Sequence, residues 1–227
     1  RYMGTISATL NNLNAVGNIR MCAIREHRFP FLKKVGNWNR FNRNTGGTLV
    51  EKCCHFFDLM NQVISSEPES VFASGGQDVN HLDEVFDGET PDIIDNAYVI
   101  VNYANGARAL LDLCMFAEGS EYEQEIAVTG DIGKIETTVP GNELIISNRS
   151  KNDFKRILIN KDSRIKEQGF HHGASYLEHL GFLDAIKNKT SPEVTVNDGL
   201  MSIVLGIAAQ ESIATGKLVK IANLIKG

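Results

Sequence analysis

The chain has 227 residues, 42% of them hydrophobic and 22% charged, a balance that fits a globular protein with core enough to fold without staples. The formal net charge is −5 and no basic block occurs, which argues against a nucleic-acid or anionic-membrane partner. No apolar run reaches membrane-spanning length and no charged-then-apolar export signal opens the chain, so a cytoplasmic location is expected.

Ile6, Leu10, Leu13 and Val16 mark a short first helix closed at Gly17, and Ile19 to Ile24 reads as a strand. Residues 25–45 are aromatic, basic and rich in Asn without periodicity. They form either a functional loop or a surface loop with its aromatics tucked down. Gly46-Gly47 opens a run without breakers in which Leu49, Val50, Cys53, Phe56, Phe57, Met60 and Ile64 recur at helical spacing. The spacing predicts one amphipathic helix from about Gly47 to before Pro68. On it Glu51, His55, Asp58 and Gln62 share a face. That stripe reads either as the wet side of a half-buried helix or as a carboxylate one turn from an imidazole, able to set its tautomer and basicity.

Val71 to Gly75 is a short strand, and the acidic, Gly- and Pro-containing stretch Asn80 to Asp95 a solvated loop. Ala97–Tyr103 and Ala107–Leu113 flank Asn105-Gly106, a pair suited to the positive φ values of a tight hairpin. Glu121–Thr129, Lys134–Val139, Leu144–Ile146 and Ile157–Ile159 continue an antiparallel meander. Two helices follow, Ser175–Lys187 and Asn197–Thr215, the second capped by Asn197 or Asp198 and closed at Gly216. A last strand spans Leu218 to Ile221. Strands in the middle and helices gathered at the ends predict an α+β fold, an open and mainly antiparallel sheet with helices covering one face.

The residues narrow the chemistry. No GxGxxG follows a strand, and Gly130-Asp131-Ile132-Gly133-Lys134 carries Ile135 where a P-loop needs Ser or Thr, so this chain shows no dinucleotide cradle of its own. GxSxG, HExxH and CxxC are all absent, which speaks against serine nucleophiles and zinc, and no metal is expected. The four cysteines, Cys22, Cys53, Cys54 and Cys114, read as free thiols of a reducing compartment. General acid–base chemistry remains, with Glu51, Lys52 and His55 on the helix and a second imidazole pair, His171-His172.

Four segments, in order, resemble the carboxy-terminal domain of the glucose–fructose oxidoreductase/inositol dehydrogenase (Gfo/Idh/MocA) family. They are Arg1-Tyr2-Met3, Trp38-Asn39-Arg40 followed by Thr45-Gly46-Gly47, Glu51 to Asp58 against the family's D-x-x-x-H-x-x-D helix, and Asp198-Gly199-Leu200 through Ala208-Ala209 to Ser212. The Gly130 to Glu136 turn is similar to the family's G-x-x-G-x-I-E. The resemblance implies the substrate-binding and catalytic half of an NAD- or NADP-dependent dehydrogenase acting on a sugar, inositol or related polyol, pairing into a homo-oligomer through its sheet. A non-catalytic dimerising or sensor module of the same fold is the alternative. It further implies that residues 1–14 are a remnant of the nucleotide-binding domain and a linking helix, and residues 15–227 the substrate and dimerisation domain. Carried over, His55 matches the catalytic histidine, Glu51 the usual aspartate and Asp58 a second, structural acid. Lys52, where the family often has an apolar residue, would contact substrate or cofactor. Trp38, Arg40, Asn44, His171 and His172 would line the substrate side. Glu for Asp at position 51 is a departure that lengthens the arm. The family's Rossmann domain and Glu-Lys-Pro motif lie outside this sequence, so the chain alone is expected not to turn over.

Overall fold

A computed structural model describes residues 1–225. Nine strands form one open sheet in the order β8-β7-β6-β5-β1-β4-β3-β2-β9. They are β1 (Ile19–His27), β2 (Pro68–Gly76), β3 (Asn96–Tyr103), β4 (Arg108–Cys114), β5 (Gln124–Gly130), β6 (Gly133–Val139), β7 (Glu143–Asn148), β8 (Asp153–Leu158) and β9 (Val219–Lys220). Every pairing is antiparallel except β1 with β4. The expected mainly antiparallel sheet is therefore present, but its meander is not continuous, because β1 inserts between β4 and β5.

The strands alternate in burial, so one face is core and the other is open. On β1, Cys22 and Ile24 are buried while Met21 is exposed. On β3, Ala97, Val99, Val101 and Tyr103 are buried while Tyr98 and Ile100 are exposed. Helices cover the core face. The first, α1 (Gly4–Asn11), packs on β6 and β7 and runs into a 3-10 turn, Leu13–Val16. The β3–β4 connection differs from the expected Asn-Gly turn. Only Gly106 has positive φ (81°), and Tyr103 exchanges hydrogen bonds with Gly106 and Ala107, which makes a three-residue loop.

Gly46 and Gly47, at φ 77° and 83°, close α2 (Asn42–Thr45) and open α3 (Thr48–Glu51). The single long helix expected here is broken. The amides of both Lys52 and Cys53 donate to the Thr48 carbonyl, at 3.0 and 3.3 Å, and the ladder restarts from the Cys53 carbonyl as α4 (Cys54–Ile64). Phe56, Phe57, Met60, Val63 and Ile64 of α4 are buried against the sheet. Two helices follow, α5 (Ala174–Asn188) and α6 (Val196–Thr215). The cap of α6 is Thr195, with Asp198 completing a capping box, so the helix begins earlier than an Asn197 or Asp198 cap would have it. Gly206 of α6 lies against α3 so closely that a Cβ there would stand 2.6 Å from the Leu49 carbonyl oxygen.

Candidate active site

The core-facing positions of β1 run Cys22, Ile24, Glu26, and the last breaks the apolar series with a carboxylate that is 0% exposed. An unpaired buried carboxylate costs several kcal/mol, so a partner is required. Lys52, at the break between α3 and α4, supplies it, with its Nζ 2.8 Å from Oε1 of Glu26. Arg28 reaches the same oxygen at 3.5 Å. The second oxygen, Oε2, is buried and has no partner among the described residues.

His55 opens the first turn of α4. Its side chain reaches the surface and makes no hydrogen bond among the described residues. Partial desolvation by surrounding atoms lowers its basicity below the usual histidine value, and the positive charges of Lys52, of the Arg1 amino group and of His171 lower it further against the opposing pull of Asp58. The imidazole is therefore neutral at neutral pH, with a ring nitrogen free to accept a proton.

The acids expected beside it are engaged elsewhere. Glu51 pairs with Lys34 at 2.9 Å, and no hydrogen bond joins it to His55 among the described residues. Asp58 is held bidentately by Arg1, at 2.6 and 2.8 Å, and Arg1 also reaches Asp198 at 3.3 Å and the Glu193 carbonyl at 2.9 Å. This knot ties the start of the chain to α4 and α6.

The residues expected on the substrate side divide. Trp38 is 40% exposed, with the Lys34 ammonium 5.0 Å from its ring centre. Asn44 donates to the Trp38 carbonyl at 2.9 Å and so fixes that loop. Arg40 is buried; it donates to Glu84 at 2.7 Å and to the Phe31 carbonyl at 3.2 Å, a brace between loops in place of the expected ligand contact. His171, in the 3-10 turn Gly169–His171, lies within electrostatic reach of His55 and bonds Ser175 at 3.1 Å. His172, at φ 52°, instead lines a hollow of about 690 Å³ with Tyr2, Ala8 and Arg164. The two histidines thus serve different surfaces.

Two more hollows exist, about 380 Å³ on the open sheet face over Ala23 and Ala127, and about 240 Å³ between Tyr2 and Phe182. His55 lines none of the three. No set of three metal-ligating side chains converges among the described residues. The Gly130–Gly133 turn joins two antiparallel strands and opens no helix, so no pyrophosphate cradle is present among these residues.

Glu26 is the site residue that the sequence reading passes over, although the signal was available: a carboxylate in the core-facing parity of a strand.

Residues 12–221 match the oxidoreductase family, C-terminal alpha/beta domain. The chain is 30% identical over 190 residues to a myo-inositol 2-dehydrogenase of Thermotoga maritima, which covers 81% of this chain and 52% of that protein. It therefore spans about half the length of the curated relatives it matches. Among solved structures, it superposes with TM-score 0.78 and 17% identity on an oxidoreductase of Agrobacterium radiobacter in complex with NAD+, L-tartaric acid and magnesium, over 99% of this chain and 64% of that one. An aldose-aldose oxidoreductase of Caulobacter crescentus complexed with glycerol gives TM-score 0.73 and 17% identity, over 97% and 61%. At these identities the two structures bear on the fold alone.

Proposed function

The chain belongs to the Gfo/Idh/MocA oxidoreductase family as its C-terminal alpha/beta domain, and we propose that it is the substrate-binding and catalytic half of an NAD(P)-dependent dehydrogenase of a sugar, inositol or related polyol. Residues 1–14 are, in this reading, the tail of a nucleotide-binding domain and a linking helix, and residues 15–227 the substrate and oligomerisation domain. The nucleotide domain, outside these residues, holds the dinucleotide and forms the second wall over His55. The nicotinamide, when bound there, accepts hydride.

The observation that carries the reading is the free, neutral imidazole of His55 beside the anchored ammonium of Lys52. A neutral imidazole within hydrogen-bond reach of a substrate hydroxyl takes its proton as the carbon loses hydride. Lys52 contacts the substrate oxygen or the cofactor, while Trp38 and His171 border the substrate. Glu51 acts through Lys34 and the loop that Lys34 closes, and Asn44 keeps Trp38 in place.

The test is His55→Ala in the full-length protein, assayed by nicotinamide absorbance against sugars and polyols. A fall in kcat/KM of about 10²–10⁴-fold is expected, the usual share of a general base. Near-normal turnover in the variant would reject the assignment of His55, and absence of turnover in the wild-type protein would favour the non-catalytic module.

A further inference from the structure

The Glu26 carboxylate lies fully buried beneath the break between α3 and α4. We propose that Glu26 is a positioning residue of the acid–base site: it acts through Lys52, holding the ammonium at the helix break beside His55 and balancing its charge. This rests on the reading of His55 as the proton-transfer group.

Lys52 is flanked in sequence and along the helix by Leu49, Cys53 and Phe56, all buried, and its own side chain is only 16% exposed. A lysine in that setting has no reason to stay extended toward the sheet without an anion to meet it. Glu26 is that anion, fully buried at the end of a central strand and fixed by sheet pairing on both sides, to Leu113 of β4 and Gln124 of β5. The ammonium is placed by an interior strand that is paired along both edges. A surface ion pair such as Lys34–Glu51 offers no comparable restraint.

The stoichiometry points the same way. Lys52 and Arg28 converge on Oε1 while Oε2 is left buried and unpartnered. A pair that served stability alone is replaced by apolar side chains at little cost or with a gain. An arrangement that leaves a buried oxygen unsatisfied costs stability, as expected where a charge is kept for its field.

Four full-length proteins test this: wild type, Glu26→Gln, Lys52→Met and the double variant, each followed as kcat/KM against pH. Glu26→Gln is expected to lower kcat/KM by about 10- to 100-fold, the scale of a misplaced catalytic contact. The double variant is expected to be no slower than Lys52→Met alone, because Glu26 has nothing left to position. The acid limb supplies a readout that a merely structural role does not move. Removing the Glu26 charge leaves Lys52 uncompensated near His55 and shifts the limb to lower pH; removing the Lys52 charge shifts it to higher pH. Asp58, His171 and the Arg1 amino group, the other charges acting on His55, are unchanged throughout. Glu26→Asp, which keeps the charge, is expected to recover part of the rate.

Independent, multiplying losses in the double variant, or an unmoved acid limb in Glu26→Gln, would overturn the proposal. If Glu26→Gln does not fold, Glu26→Met/Lys52→Met, which leaves no unpaired ion, takes its place. Its rate must then match Lys52→Met while its acid limb lies at lower pH than that of Lys52→Met, because the Glu26 charge is gone as well; a slower rate would overturn the proposal. His55→Ala in the same series separates the two failures. Full activity there removes the acid–base reading itself, whereas loss there with Glu26→Gln unaffected removes only the role of Glu26.

Discussion

The basicity of His55 follows from crowding and from a cation one turn away, and its sign has a kinetic consequence. A base whose pKa lies below the ordinary histidine value stays deprotonated further into acid. The acid limb of kcat/KM in the full-length protein is therefore expected below about pH 6.5, the unperturbed value. A pH–rate profile measures this directly, and a limb above that value would contradict the environment described. Asp95 gives a second prediction at this scale. Its carboxylate accepts the backbone amides of Asp78, Val79 and Asn80 and the Asn96 amide group. Desolvation pulls its pKa up, but these donors outweigh it and hold the group below the ordinary aspartate value of 3.8. A lowered pKa means that the stabilisation is complete above the unfolded value and is lost as pH falls through the folded one. Asp95→Ala is expected to lower stability by about 1–3 kcal/mol at pH 7. In urea denaturation the gap to wild type should close as pH falls below about 4.

Among the elements, α3 and α6 depend on each other most closely, through Gly206. Gly206→Ala would drive a methyl group into the Leu49 carbonyl and push α6 from the element that carries Glu51 and leads to Lys52. A loss of about 1–3 kcal/mol is expected, the cost of overpacking, together with reduced kcat. Gly199→Ala, in the same helix with open space around it, should instead be neutral or stabilise by up to about 1 kcal/mol. Thermal melts of the two variants provide the comparison. The helices and most strands were legible because each has an apolar face with its own period: Leu177 and Ala185 in α5, or Ile126 and Val128 in β5. The break at Lys52-Cys53 was not, because periodicity runs straight through it and only packing against Gly206 and the pull of Glu26 mark it. The parallel β1–β4 pairing was equally hidden, since a strand between two distant neighbours carries no turn signal. His55 drew notice first through its spacing from Glu51 and then through the family motif that lies over it, whereas the Lys34 partner of Glu51 gives no sign in the sequence.

For the whole molecule, the open face of the sheet is the largest unassigned surface. Met21, Phe72, Tyr98 and Ile100 stand exposed on it at 40–62%, Arg25 pairs with Glu125 across it, and His27 is hydrogen-bonded to Asp112. An apolar sheet face of this kind is a candidate interface between copies. Tyr98→Glu/Ile100→Glu is expected to convert the full-length protein to a smaller species in size-exclusion chromatography with light scattering. An unchanged mass would reject this face as an interface. The position of β1 between β4 and β5 matters as well while the chain is being made. During synthesis this ribbon emerges long before residues 108–130 that will flank it. The strand therefore has no sheet neighbour until those later residues have been made. The β3–β4 hairpin is closed by local contacts whereas β1 pairs with strands far along the chain, so that long-range pairing is the step expected to limit folding.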